Sequence, residues 1–222
     1  MKPLYKSAFG ALCLLLGFLI LMAAQRVGQE AFASRIAPEI LRFHVLANSN
    51  SPEDQTLKLQ VKTRLLDEIY RQLGENASLQ DTRNYISTHM DFLEQEAEAY
   101  MKELGYHYTA TAELTKTYFP TKVYGDMVFP CGTYEALQIK LGSAEGKNWW
   151  CVLYPPLCFS QSSYAVVPDS SKEILKEALE PEDYKALLQS GKADIRLKLK
   201  LPQLVKDLFS PQKNTDEASS VQ

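Results

Sequence analysis

Residues Ile40–Asp54, ILRFHVLANSNSPED, hold the change of pattern on which the fold turns. In their first half Leu41, Phe43, Val45 and Ala47 alternate with Arg42 and His44, the two-residue period of a strand with one buried face and one face toward water. The second half is a helix start. Ser51 is suited to cap a helix N-terminus, Pro52 to its first position, and Asp54 stands where a capping box places an acid. The helix is predicted to run to Leu73 and stop at Gly74, with Leu57, Val61, Leu65 or Leu66, Ile69 and Leu73 as its inward stripe.

Downstream, a second capped start at Ser78 with Asp81 opens a helix expected to continue to Leu104 and end at Gly105. Ile86, Met90, Leu93, Ala97, Tyr100 and Met101 recur at steps of three and four. Its acids, such as Glu94 and Glu96, read as ordinary surface charge. The period then drops to two. Tyr106, Tyr108, Ala110, Ala112 and Leu114 form one alternating run, and further strands are expected near 116–119, 121–124, 133–141 and 149–154. They are broken at Pro120, Gly125-Asp126, Pro130, Gly132, 142–148 and Pro155-Pro156. Gly125-Asp126 has the character of a tight hairpin turn. A helix interrupted at Pro181 spans 171–190, Asp194–Leu201 (DIRLKLKL) alternates strictly as an edge strand would, and a short helix and a disordered tail, 211–222, follow. Long helices followed by a run of strands predict an α+β domain, a single compact unit over 34–210 with a mainly antiparallel sheet and two long amphipathic helices, behind an apolar N-terminal leader.

That leader, residues 1–33, is the clearest signal for location. Lys2 and Lys6 precede Ala8–Ala24, AFGALCLLLGFLILMAA, which as a helix reaches about 25 Å against a hydrocarbon core of roughly 30 Å. Positive flank, apolar centre and the small pair Ala23-Ala24 fit a secretory signal peptide, and Ala31-Phe32-Ala33 is a second small-x-small site. An uncleaved anchor with its N-terminus in the cytoplasm is the alternative. Either way the chain from Ser34 onward is expected outside the membrane. The net charge is −3, and the leader carries more base than acid, so the remainder is the more acidic part. A mildly acidic domain has no basic face for nucleic acid.

The motifs of common catalysts, HExxH, G-x-S-x-G, the phosphate-binding loop and GxGxxG, are missing from the sequence. His44, His89 and His107 fall on separate elements without metal-ligand spacing, and His44 and His107 read as solvent-facing strand positions. No metal, cofactor or small-molecule substrate is expected. Beyond Cys13 in the leader stand Cys131, Cys151 and Cys158, an odd number with no CxxC. Cys151 and Cys158 flank Pro155-Pro156, which can reverse the chain, and an oxidising compartment permits a bridge between them. Two buried free thiols, or a bridge to Cys131, are the other readings, and a Cys151–His44 nucleophile stays open. Trp149 and Trp150 are neighbours on a strand, so they point to opposite faces. Either one is an exposed anchor for a protein partner or both lie under covering elements.

At Arg42-Phe43-His44-Val45-Leu46-Ala47-Asn48-Ser49, Phe119-Pro120-Thr121-Lys122, Tyr124-Gly125-Asp126, Tyr134-Glu135-Ala136-Leu137 and above all Asn148-Trp149-Trp150-Cys151-Val152-Leu153-Tyr154-Pro155-Pro156-Leu157-Cys158-Phe159, the chain resembles the stage II sporulation protein R family of endospore-forming bacteria. The likeness spans roughly Ile40 to Leu201 and is weakest in the C-terminal third. It implies a signalling protein, not an enzyme. Such a protein is exported from the forespore into the space between the two membranes, where it triggers an aspartic-type protease in the opposing mother-cell membrane that processes the sigma-E precursor. The family supplies no binding residues. The residues themselves nominate the loop Asn148–Cys158, with Phe119–Asp126 beside it, as the receptor surface. There Trp149 or Trp150 is the apolar anchor and Tyr124, Tyr154 and Asn148 make polar contacts. Gly125, Pro155, Pro156 and the cysteines fix the loop's shape, and Phe119 and Asp126 complete the nominated surface. The rival readings are a cell-wall enzyme using Asp126 and Glu135, and an anchored envelope protein.

Overall fold

The computed structural model describes residues 2–74, 77–158 and 166–193. The strand–helix transition forms as expected. Strand β1 is Leu41–Leu46 and helix α2 is Pro52–Leu73. The Ser51 side chain accepts from the Asp54 amide at 3.1 Å, and Gly74 follows the last turn. Leu57, Val61, Leu65, Leu66 and Ile69 are buried and Leu73 is partly so.

The second long helix is divided. α3, Leu79–Thr88, carries the full Ser78/Asp81 capping box, and α4, Met90–Glu103, resumes after His89. His89 leaves the helical region, with φ −121° and ψ 22°. Its Nδ1 takes the Tyr85 carbonyl at 2.8 Å, the acceptor that its own amide would use in a continuous helix, and that amide goes to Ile86 O at 3.1 Å instead. A side chain outcompeting the backbone for one carbonyl is enough to end the ladder.

Strand β2 runs from Ala110 to Phe119, joining two runs expected to be separate, while Tyr106–Thr109, including the exposed His107, stay outside it. β3, Lys122–Tyr124, and β4, Met127–Phe129, form the hairpin around Gly125-Asp126. Gly125 has φ +54°, which suits the first position of a two-residue turn, and a Cβ there would lie 2.9 Å from the Val166–Val167 backbone. β5 is Gly132–Leu141 and β6 is Asn148–Tyr154. Helices α5, Asp169–Ala178, and α6, Pro181–Ala193, flank the break expected before Pro181. The strand expected at 194–201, the short helix after it and the tail lie outside the described residues.

The main sheet has the order β2-β5-β1-β6. β2/β5 and β1/β6 are antiparallel and the central β1/β5 pair is parallel. Leu41, Phe43, Val45, Leu137, Ile139, Cys151 and Leu153 pack with the buried residues of α2, α3 and α4. The other face meets a second layer, in which Phe119, Met127, Phe129, Tyr134, Ala136, Val152, Leu175 and Leu187 gather with Ala33 and Ile36. Those two belong to the last turns of α1, Lys2–Ile36, whose apolar Leu12–Met22 stretch is exposed. It is the one helix among the described residues long and apolar enough to cross a membrane.

The second layer overturns one expectation. Arg42 and His44 do not face water. They are 0% and 4% exposed, because the alternate face of β1 is covered as fully as the first. Glu94 is not simple surface charge either. Its Oε1 accepts from the Ala112 amide at 2.7 Å, and Glu98 accepts from Ala110 at 2.9 Å, so α4 closes the outer edge of β2 with carboxylates. Such edges otherwise invite pairing with other chains. The double variant Glu94→Ala/Glu98→Ala is expected to lose about 1–2 kcal/mol in urea unfolding and to aggregate more readily. An unchanged midpoint would show that water replaces the carboxylates at no cost.

Candidate functional site

The two nominated stretches meet across β1. In its register with β6, His44 lies opposite Trp150 and Leu46 opposite Asn148. The His44 ring stacks on Trp150 with centroids 3.7 Å apart, and Phe119 meets Trp150 edge-on at 4.6 Å. The Tyr124 hydroxyl donates to the Trp150 carbonyl at 3.3 Å, tying the β3–β4 hairpin to β6.

The polar atoms of His44 are fully matched. The Gln138 amide nitrogen stands 2.7 Å from Nδ1, and the Asn148 carbonyl oxygen 2.7 Å from Nε2. With these amide orientations Nδ1 accepts and Nε2–H donates, so the neutral ring is the one that fits. Burial holds its pKa down at about 4, against a smaller opposing contribution from Asn148.

Arg42 occupies the neighbouring position on the same face. Its guanidinium lies 4.3 Å from the Phe119 ring, 5.0 Å from Tyr134, 5.6 Å from Phe129 and 5.9 Å from Tyr124. One long hydrogen bond, Nη2 to Tyr124 Oη at 3.4 Å, is its polar contact, and Nε and Nη1 have no partner among the described residues. Burial pulls its pKa below the ordinary arginine value. Aromatic faces around a cation offset part of such desolvation. Arg42 and Gln138 were not nominated from sequence, and His44 entered only as a nucleophile partner for Cys151. Their signal was the surplus of aromatics at 119, 124, 129 and 134, which the alternation of β1 alone does not explain.

The nominated residues differ in what they offer a partner. Asn148 is exposed, while Trp149, Trp150, Tyr154, Pro156, Tyr124 and Asp126 are partly exposed and Phe119 and Pro155 are buried. Trp149 packs on the α2 side, with Lys62 Nζ 5.0 Å from its ring, and Trp150 on the His44 side. Each ring therefore packs in part against a covering element and keeps an accessible margin, between the two readings. Asp126 accepts from Lys172 Nζ at 2.7 Å and from the Val167 amide at 2.9 Å, anchoring the hairpin to the start of α5. Glu135 pairs with Arg83, so neither acid of the cell-wall reading is free. Beside the hairpin turn, Val123 and Val166 are 58% and 52% exposed.

Cys151 and Cys158 are joined, with Cα atoms 5.3 Å apart, while Cys13 and Cys131 are free. The bridge closes the loop containing the cis Tyr154–Pro155 bond and removes Cys151 as a nucleophile. Groups of three or more His, Cys, Asp or Glu able to hold a metal are absent among the described residues.

A sequence model of the family described as Stage II sporulation protein R matches residues 37–164, from the end of α1 to beyond the disulfide loop. The chain belongs to the stage II sporulation protein R family. It is similar to Stage II sporulation protein R of Bacillus subtilis (strain 168), with 33% identity over 211 residues, 89% of this chain and 94% of that protein. No solved structure matches it. The family match takes in all six strands among the described residues and both nominated stretches, and stops before α5 and α6.

Two outcomes follow from this geometry. Because the folded state binds neutral His44, the unfolded chain takes up a proton near pH 6.5 that the folded chain refuses until about pH 4. Stability is fully present above pH 6.5 and should fall toward pH 4, with a slope from this group of at most about 1.4 kcal/mol per pH unit. Urea midpoints measured from pH 7.5 to 4 should show the fall, and His44→Gln should flatten it. Separately, Cys151→Ser/Cys158→Ser should lose about 2–3 kcal/mol by loop-closure entropy. Thiol labelling of the unreduced protein with α1 removed at Gln25 should count one thiol; a count of three would rule the bridge out.

Proposed function

We propose that this chain is an intercompartmental sporulation signal. It is exported from the forespore and activates, by contact, an aspartic-type protease in the opposing membrane that processes the sigma-E precursor. Family membership carries this reading, through residues 37–164 and the likeness to the Bacillus subtilis protein over most of both chains. Two physical features support it. α1 has the length and composition of a signal sequence or anchor, and the Cys151–Cys158 bridge suits an extracytoplasmic compartment.

Activation by contact demands that the signal bind the protease's active arrangement more tightly than its inactive one, since equal affinity shifts nothing. The surface assigned to this task is the outer margin of β6 with the adjacent hairpin. It comprises Asn148 and the accessible edges of Trp149, Trp150, Tyr154 and Pro156, continued by Tyr124 and Val123. Phe119, Pro155 and the disulfide hold its shape. Trp150 also supports the core through His44, so its truncation disturbs folding and binding together. Asn148 likewise supports His44 through its side-chain oxygen, so Trp149, on the α2 side, is the cleaner probe.

Co-production of the full chain with the protease and the sigma-E precursor in vegetative cells should shorten the precursor. Trp149→Ala and Asn148→Ala, confirmed as folded by near-UV circular dichroism, should reduce that shortening several-fold. No shortening with the folded, exported wild type would overturn the function. Full shortening by both variants would move the surface elsewhere.

A further inference from the structure

The leader and the folded domain are not two pieces joined by a linker. They share one uninterrupted helix, and the second small-x-small site, Ala31-Phe32-Ala33, lies where that helix is built into the core. We infer that the Ala33–Ser34 bond stays intact in the working protein, and that Gln29–Ile36 is a permanent wall of the second layer.

The contacts that carry this come from four separate parts of the chain. Glu30 Oε1 accepts from the Tyr118 hydroxyl at 2.8 Å, at the end of β2. Gln29 Oε1 accepts from Thr121 Oγ1 at 2.6 Å and from Cys131 Sγ at 3.2 Å, on either side of the hairpin. Arg35 makes a forked ion pair with Asp183 on α6, Nη2 to Oδ1 at 2.7 Å and Nε to Oδ2 at 3.2 Å. Between these polar ties Ala33 and Ile36 are wholly buried.

The small residue at 33 has a packing reason of its own. A Cβ built on Gly132 would lie 2.4 Å from the Ala33 methyl, so helix and strand approach closely at Gly132. A glycine within a strand commonly marks such an approach. The pattern that resembles a cleavage signal is thus accounted for by the Ala33–Gly132 contact. Proteolysis concentrates at exposed segments with few ties, and this segment has ties on three sides. A cut after Ala33 would remove Gln29, Glu30 and Ala33 together. Tyr118 and Thr121 would lose their partners, and a gap would open over Gly132.

Any maturation cut therefore falls before Gln29, where the Ala23-Ala24 stretch is exposed and packs on nothing described. The polar link from Gln25 to Gln29 spans only about 6–8 Å of helix. Where the apolar run remains in a bilayer, the domain rests against that bilayer's surface rather than at the end of a flexible tether.

The test uses the full chain and is independent of the protease. The protein is exported from a Gram-positive host, and its N-terminus is determined by intact mass and N-terminal sequencing. A start at Met1, or anywhere from Gln25 to Gln29, is expected; a start beyond Gln29, Ser34 above all, overturns the inference. Amide exchange on the detergent-solubilised full chain is a second readout. Ala33–Ile36 should exchange as slowly as β5, and exchange at the rate of a free helix end overturns the docking. Gly132→Val should remove protection from Ala33–Ile36 while α2 and β1 keep theirs. Full retention of that protection by the variant would also count against it, and the wild-type measurements decide the matter if the variant does not fold. Failure of protease activation in the co-production assay leaves these outcomes unchanged, so the two readings fail separately.

Discussion

Strand β1 has water on neither side, and the rest of the molecule is arranged to make that tolerable. Its odd-numbered residues, Leu41, Phe43 and Val45, meet α2 and α4 in an ordinary apolar core. Its even-numbered residues put a guanidinium and an imidazole into the opposite layer, where an unpartnered polar group costs on the order of kilocalories. His44 is satisfied from both neighbouring strands, by Gln138 of β5 and Asn148 of β6. Arg42 is met by four aromatic rings and one hydroxyl, with no carboxylate partner among the described residues. The rings come from β2, the hairpin and β5, so the layer must be assembled as a whole before Arg42 is accommodated. Removing one wall exposes the cost of the others.

This requirement links parts of the chain that are far apart in sequence. Ile36 at the end of α1, Phe119 at the end of β2, Val152 of β6 and Leu187 of α6 belong to one cluster. Polar clips at its margin fix the pieces: Arg35 to Asp183, Asp126 to Lys172, and Tyr124 to the Trp150 carbonyl. Each side chain of the last two lies at or beside a stretch nominated for receptor contact. Asp126 spends its charge within the chain, and Tyr124 its hydroxyl, so what they present outward is mainly shape.

The legible parts of this architecture were those decided by local chemistry. Ser51 and Pro52 start α2, Ser78 and Asp81 start α3, and Gly125-Asp126 turns the hairpin, because caps and tight turns depend on a few adjacent residues. The cysteine pair was legible for a similar reason, since its partners lie seven residues apart. What escaped was decided by residues distant in sequence or by competition. Alternation in β1 reports that Arg42 and His44 share a face, but not whether water or Phe119 lies beyond it. His89 sits at a good helical position and breaks the helix by taking the Tyr85 carbonyl. Glu94 looks like every other acid on α4 until β2 is placed beside it. Hydropathy marks the apolar run of α1 but carries no sign that its last turns pack against Gly132.

The margin of β6 has a property that follows from its place in the sheet. It is an edge strand, and the alternation of its side chains sends neighbours to opposite layers. Trp149 leans toward α2 and Lys62, while Trp150 leans toward His44 and Phe119. The accessible rims of the two rings are therefore positioned by two independent cores, and Cys151, bonded to Cys158, sits directly after them. A partner reading this edge gains little from loose aromatic area, because much of each ring is already packed within the domain. It gains instead from a rim whose spacing is set before binding, which lowers the ordering cost of association. Such an edge suits recognition by shape. It also ties the quality of the contact to completion of both cores, including the wall contributed by the last turns of α1.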